Sequence, residues 1–170
     1  MVNLAERTKK HQVNGVSREA STATLHDEVA EVLERLSRLL VAHASRDVLA
    51  VEPGPAAPTI RTAQEDVRFF GQVAAAWADV PDGALPSTGA GFGSAVAVED
   101  LDQGVRETFT LMTGARLDID GGHVSLASPI GQALLGVEEG DIVSVQTPHR
   151  LRRLRVVEVR TLQSRIADAV

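Results

Sequence analysis

Three features of this chain are of a type that could do chemistry: a glycine-rich segment, an acid-glycine segment and five histidines. Gly89-Ala90-Gly91-Phe92-Gly93 has the glycine density of a dinucleotide-binding turn. Such a turn cradles a pyrophosphate only when it follows a strand and opens a helix. Here it follows Pro86, Ser87 and Thr88 and opens the strand-like Ala95-Val96-Ala97-Val98, so no nucleotide site is expected. Asp118-Ile119-Asp120-Gly121-Gly122 supplies part of a calcium loop, but the remaining oxygen ligands are missing and the segment reads as a β-turn. His11, His26, His43, His123 and His149 lie outside any nucleophile-elbow context; His26 and His43 are 17 apart, without a ligand-spaced mate. With no cysteine, thiol catalysis, disulfides and thiolate metal sites are excluded. The expectation is a protein that is not an enzyme and has no cofactor or metal.

Composition narrows the partners. The 170 residues carry a net charge of −6, which argues against direct, sequence-specific DNA binding through a basic footprint. Aromatic residues make up 3% of the chain, with no tyrosine and one tryptophan, Trp77, so stacking platforms for bases are not expected. No apolar run approaches the length that spans a bilayer, and Met1–Lys10 lacks the apolar core of a secretory signal. Absence of cysteine fits a reducing cytoplasm. Of 17 basic residues, the lysines are Lys9 and Lys10, a bias that fits a high-GC bacterial genome.

The elements that must position any site fall into two halves. Residues 1–20 are polar and aperiodic and read as a flexible tail. Leu25, Val29, Val32, Leu36 and Leu39 then recur at steps of 4, 3, 4 and 3, an amphipathic helix with a coiled-coil-like seam and with Thr24 as its expected N-cap. Pro53, Gly54, Pro55 and Pro58 break it. Thr62-Ala63-Gln64-Glu65 reads as a capping box opening a second helix, whose Val67, Phe70, Ala74 and Trp77 repeat at steps of 3, 4 and 3. The two predict an antiparallel helical hairpin over 21–80. One exposed seam could also pair between chains, so self-association through the hairpin is an expectation. Residues 81–92 read as a linker able to act as a hinge. From residue 93 to 165 short strands are expected at 94–99, 106–112, 123–127, 141–147 and 151–160. A short helix interrupts them, with Ser128 as N-cap, Pro129 at its first position and Gly136 past its end.

Charge is segregated along this second half. Glu99, Asp100, Asp102, Glu107, Asp118, Asp120, Glu138, Glu139 and Asp141 precede a run of Arg150, Arg152, Arg153, Arg155, Arg160 and Arg165. The expectation is a bipolar domain, with solvated outer faces or a docking surface for a charged partner.

Ser128-Pro129-Ile130-Gly131-Gln132-Ala133-Leu134-Leu135-Gly136, followed by Gly140-Asp141-Ile142-Val143-Ser144-Val145-Gln146-Thr147-Pro148, resembles the C-terminal domain of the bacterial Gre transcript-cleavage factors. Gly93 to Asp102 is similar to that domain's opening strand and hairpin, and Leu154-Arg155-Val156-Val157-Glu158-Val159 to its last strand. The resemblance implies an α+β protein: an N-terminal antiparallel coiled-coil hairpin followed by an FKBP-like C-terminal domain. It implies a partner, RNA polymerase, held at the rim of the secondary channel through the surface that includes Ser128, Pro129 and Ile130. It also implies that the hairpin tip enters the channel toward the catalytic magnesium.

At the tip the sequence departs from the family. Cleavage factors carry an Asp-Leu-x-Glu-Asn-Ala-Glu-Tyr type segment, whose two carboxylates help to place a second metal and the attacking water. Counting back from Ala63-Gln64-Glu65 puts that acid pair near Pro53 and Ala56, with Glu52 and Asp47 as the nearest acids. The expectation is a Gre-like channel binder without normal cleavage stimulation. Rnk-type regulators share the C-terminal domain with a shorter arm and are the runner-up. A prolyl isomerase needs an aromatic-lined pocket, for which the domain offers Phe109. A hairpin module for some other protein is the remaining alternative.

Overall fold

A computed structural model of the chain describes residues 16–44, 57–114 and 117–169. Among them are two N-terminal helices, a five-stranded sheet and two shorter helices, a mixed α+β architecture.

Helix α1 runs Val16–Ala44 and α2 runs Ala57–Ala76. Both start earlier than their capping signals suggest. Val16 to Leu25 contains neither Gly nor Pro, and once a helix exists each added residue gains one backbone bond at little cost. Residues 16–20 therefore belong to α1 rather than to a tail, and Thr24 lies inside the helix. Likewise Thr62 lies inside α2; Pro58 occupies its first turn, where the missing N–H has no intrahelical acceptor to lose. A 3₁₀ turn, Trp77–Asp79, ends the second helix.

Helix α1 packs along its expected stripe as far as Leu36, whereas of the stripe expected for α2 Val67, Ala74 and Trp77 are half-buried and Phe69, Phe70 and Val73 sit deepest. Leu25, Val29, Val32 and Leu36 are buried, as are Phe69, Phe70 and Val73. The ring of His26, near the start of α1, lies 5.2 Å from that of Trp77 past the end of α2, so the helices run in opposite directions. The α1 seam from Leu25 to Leu36 is thus covered within one chain, while Leu39 at its far end is exposed.

The sheet has the order β3-β2-β1-β5-β4. Strand β1 (Ala95–Asp100) pairs antiparallel with β2 (Val105–Met112) and with β5 (Leu151–Arg160); β4 (Ile142–Gln146) pairs antiparallel with β5. Strand β3 (His123–Ser125) runs parallel to β2. All five lie where the alternation placed them, with ends shifted by one or two residues. Helix α3 (Pro129–Leu134) packs on the sheet, with Leu134, Val145, Leu154 and Val156 in the core.

Two segments differ from expectation. Residues 81–93 are packed, not a free linker: Ala84, Ala90 and Phe92 are buried. Ala90 N–H donates to Val137 O at 2.8 Å, Gly136 N–H to Ala90 O at 2.6 Å, and Gly93 N–H to Leu111 O at 2.7 Å. The Phe92 ring meets Trp77 edge-on at 5.9 Å, which ties the root of the helical arm into the core of the sheet domain. Residues 162–169, which carried no element in the sequence reading, form helix α4 (Leu162–Ala169), with Leu162 and Ile166 buried. Two apolar residues four apart are too few to signal a helix by periodicity; their burial depends on what α4 docks against.

Candidate functional site

The Ser-Pro corner is built by its own backbone. Ser128 has extended φ/ψ and caps α3, its Oγ accepting from Gly131 N–H at 3.1 Å. The same hydroxyl donates to Ser125 O at 2.7 Å. Ser125 Oγ in turn accepts from Ala127 N–H at 3.1 Å. Gly131 is required here, because a Cβ would stand 2.0 Å from Ser125 O. The corner therefore cannot close over any larger residue.

This geometry separates the roles of the three residues the resemblance singles out. Ser128 is committed internally, as donor and as acceptor, and one lone pair of its oxygen remains. Pro129 is exposed, flanked by exposed Ala127 and Gln132. Ile130 is half-buried against the core. The helix end offers less than its dipole suggests. Pro129 has no N–H, Gly131 N–H goes to Ser128 Oγ, and Gln132 N–H goes to Ser128 O at 2.9 Å. That leaves Ile130 N–H as the first-turn donor without an acceptor among the described residues. The corner presents shape and apolar surface more than hydrogen bonds.

The tip residues Asp47, Glu52, Pro53 and Ala56 lie outside the described residues. The glycine run at 89–93 has a packing cause. A Cβ on Gly89 would lie 2.5 Å from Gly136 O, and one on Gly91 2.6 Å from Ala84 O. The acid-glycine segment forms the turn expected of it, with Gly121 N–H donating to Asp118 Oδ1 at 3.0 Å. His123 Nδ1 accepts from Asp118 N–H at 3.3 Å. Burial pushes the His123 imidazole below its ordinary value, against the raising effect of Asp118. Among the described residues no group of three or more His, Asp or Glu converges as a metal site would.

The acidic and basic runs, expected to make the domain bipolar, instead meet strand against strand. The β1–β5 register places Glu99 opposite Arg155 and Asp100 opposite Leu154. Asp100 is fully buried. Arg150 Nη2 and Arg152 Nε donate to its Oδ2 at 2.7 and 2.9 Å. The N–H groups of Asp102 and Gln103 donate to its Oδ1 at 3.0 and 3.1 Å. Burial acts to raise the Asp100 carboxyl, but the Arg152 bond, the two backbone N–H groups and the Arg150 charge outweigh it, and the net shift is downward. Arg152 also pairs with Glu107, Arg153 with Asp102, and Arg155 with Glu99 at 3.7 Å. Sequence order could not reveal this, because the partners are about fifty residues apart and meet only through strand pairing.

Residues 85–161 match the family model of the C-terminal domain of the transcription elongation factors GreA and GreB. Over those residues the chain is similar to the Gre family. The GreA factor of Syntrophobacter fumaroxidans is 42% identical over 69 residues, 41% of this chain and 44% of that protein. The GreA factor of Desulfovibrio desulfuricans is 49% identical over 57 residues, 34% of this chain and 35% of that protein. The matched stretch thus spans less than half of these relatives. Among solved structures, the GreA factor homolog 1 (Gfh1) of Thermus thermophilus is 24% identical, covering 79% of this chain and 94% of that one, with a TM-score of 0.39. A GreA/GreB factor of Nitrosomonas europaea is 25% identical over 75% of this chain and 90% of that one, with a TM-score of 0.38. At those scores the overall superposition carries no argument. The Gre-type domain includes β1 to β5 and the Ser128–Pro129 corner, and α4 begins at the residue after its last matched position.

Proposed function

We propose that this chain is a Gre-type transcription factor that docks on RNA polymerase at the rim of the secondary channel. Its sheet domain, FKBP-like in this reading, docks through the Ser128–Pro129–Ile130 corner. Its coiled-coil arm enters the channel. The observation that carries the reading is the Gre-type domain match, together with a Ser-Pro corner that holds Pro129 outward on a fixed turn. The 29 residues of α1 favour this over the shorter-armed Rnk-type reading. The protein acts in the cytoplasm and does no chemistry of its own. With proline and alanine where cleavage factors carry acids, near Pro53 and Ala56, it occupies the channel without normal stimulation of transcript cleavage.

The test is transcript cleavage by a GreA factor on backtracked polymerase, with this protein titrated in. The expected result is a dose-dependent loss of cleavage, relieved by excess GreA factor and weakened by Pro129→Asp. No effect at saturating concentration would remove polymerase as the partner. Robust cleavage by this chain alone, abolished by Glu52→Gln, would overturn the disarmed tip.

A further inference from the structure

We propose that Arg165 on α4 is a positioning residue for the helical arm, and that α4 fixes the arm's angle to the Gre-type domain. The angle matters to the polymerase reading above, and the inference rests on it for its functional weight.

The root of the arm is anchored at the 3₁₀ turn, where Trp77 meets Phe92 and Thr113 Oγ1 donates to Asp79 O at 3.3 Å. A root alone is a pivot, and contacts further along α2 must hold the tilt. Two such contacts stand out. One is the ion pair of Arg68 with Asp118 at 2.6 Å, in which the arginine is 69% exposed, and an exposed pair holds little. The other is α4. The guanidinium of Arg165 lies over the Phe69 ring of α2, 3.3 Å from its centroid. Its Nη1 donates to Gly93 O, at the entrance to β1, at 3.4 Å. One side chain thus touches the arm and the sheet domain. Beside it Leu162 and Ile166 are buried, Leu162 fills the space in front of Gly93, and α4 also lies against α1.

Burial depresses the Arg165 guanidinium to about 10, with Arg160 pushing the same way and Asp66 opposing. A cation that remains where solvation is poor is held by its partners, here an aromatic face and a carbonyl. Arg160 closes onto Asp168 at 2.6 Å and ties the far end of α4 to the last strand. Helix α4 lies beyond the matched family region, so the link joins a segment outside that region to Gly93 within it.

The test uses the full chain, which has no native cysteine. Exposed Ser37 on α1 and Gln103 in the β1–β2 turn are changed to cysteine and spin-labelled, and the distance between the labels is measured in free protein. A single narrow distribution is expected for the parent, a distribution at least twice as wide for Arg165→Ala, and recovery of the narrow one for Arg165→Lys, which keeps a cation over the ring. Phe69→Leu keeps the apolar contact and removes the ring; it too should widen the distribution, and it decides the matter if Arg165→Ala does not fold by circular dichroism. A parent that is already broad, or variants as narrow as the parent, would overturn the inference. No polymerase enters this measurement, so its outcome is independent of the docking reading.

Discussion

The arm and the sheet domain carry charge in similar amounts and use it in opposite ways. On α1 the charges face water: Glu34 and Arg38 pair at 3.4 Å with both side chains more than two-thirds exposed. In the sheet, Asp100 is sealed from solvent and holds two arginines and two backbone N–H groups. The arm is held by an apolar stripe, and its charges keep that stripe in register with water. The sheet end is held by a charge cluster that substitutes for an apolar core at the β1–β2 turn. A buried carboxylate is tolerable only when every oxygen is satisfied, and here the chain at β5 supplies the two arginines and the β1–β2 turn the two N–H groups. The lesson is that a run of like charges in a sequence says nothing about its exposure until its strand partner is known.

The sharpest way to break this contrast is Asp100→Ala. It leaves Arg150 without its carboxylate, leaves Arg152 with Glu107 alone and orphans two N–H groups, so Tm should fall by about 10 °C in a thermal melt. Asp100→Asn keeps an acceptor for the turn and removes the charge, so it should fall between parent and alanine. An Asp100→Ala protein as stable as its parent would show that the cluster is ornamental.

Acid titration separates the two regions by sign. The Asp100 and Asp102 carboxyls are depressed in the folded state, Asp102 chiefly by its bond from Arg153. Their stabilisation is complete above the ordinary value of 3.8 and is lost as pH falls through the depressed values. His123 is also depressed, so its contribution is present above 6.5 and falls as acid charges the imidazole. Asp66 on α2 is raised, chiefly by burial, so acidification relieves a penalty there. Amide exchange as pH is lowered below 3.8 should therefore open β1 and β5 before the buried face of α2. Simultaneous loss of protection would mean that the regions unfold as one unit.

The smallest effect belongs to the arm surface. Glu34→Ala should move Tm by less than about 2 °C, because an exposed i,i+4 pair contributes little. A larger change would place Glu34 in a contact that the helix surface does not suggest.

Much of this architecture was legible in residue order. The five strands, the stripe on α1, the Ser128 cap and the Asp118 turn follow from spacing over a few residues, and the Gre-type domain from the resemblance of several segments in order. Helix starts were not, because Thr24 and Thr62 are good caps only if the chain ahead of them is not already helical, and packing settles that. The packed segment 81–93 was missed because Gly, Pro and Ser look alike in a free linker and in a tight one. Within the candidate site, Ser128 and Pro129 were legible as a pair, but which of them faces outward was not.

The sequence by itself determined local geometry: where helices break, which strand faces are apolar, and that a serine and a proline open α3. Tertiary structure decided what those elements meet. It put Asp100 under Arg150 and Arg152, Arg165 over Phe69, and Phe92 against Trp77. The reason is physical: caps and alternation act within a few residues along the backbone, whereas a buried charge or ring is stabilised by neighbours fifteen to a hundred residues away, which only the folded chain brings together.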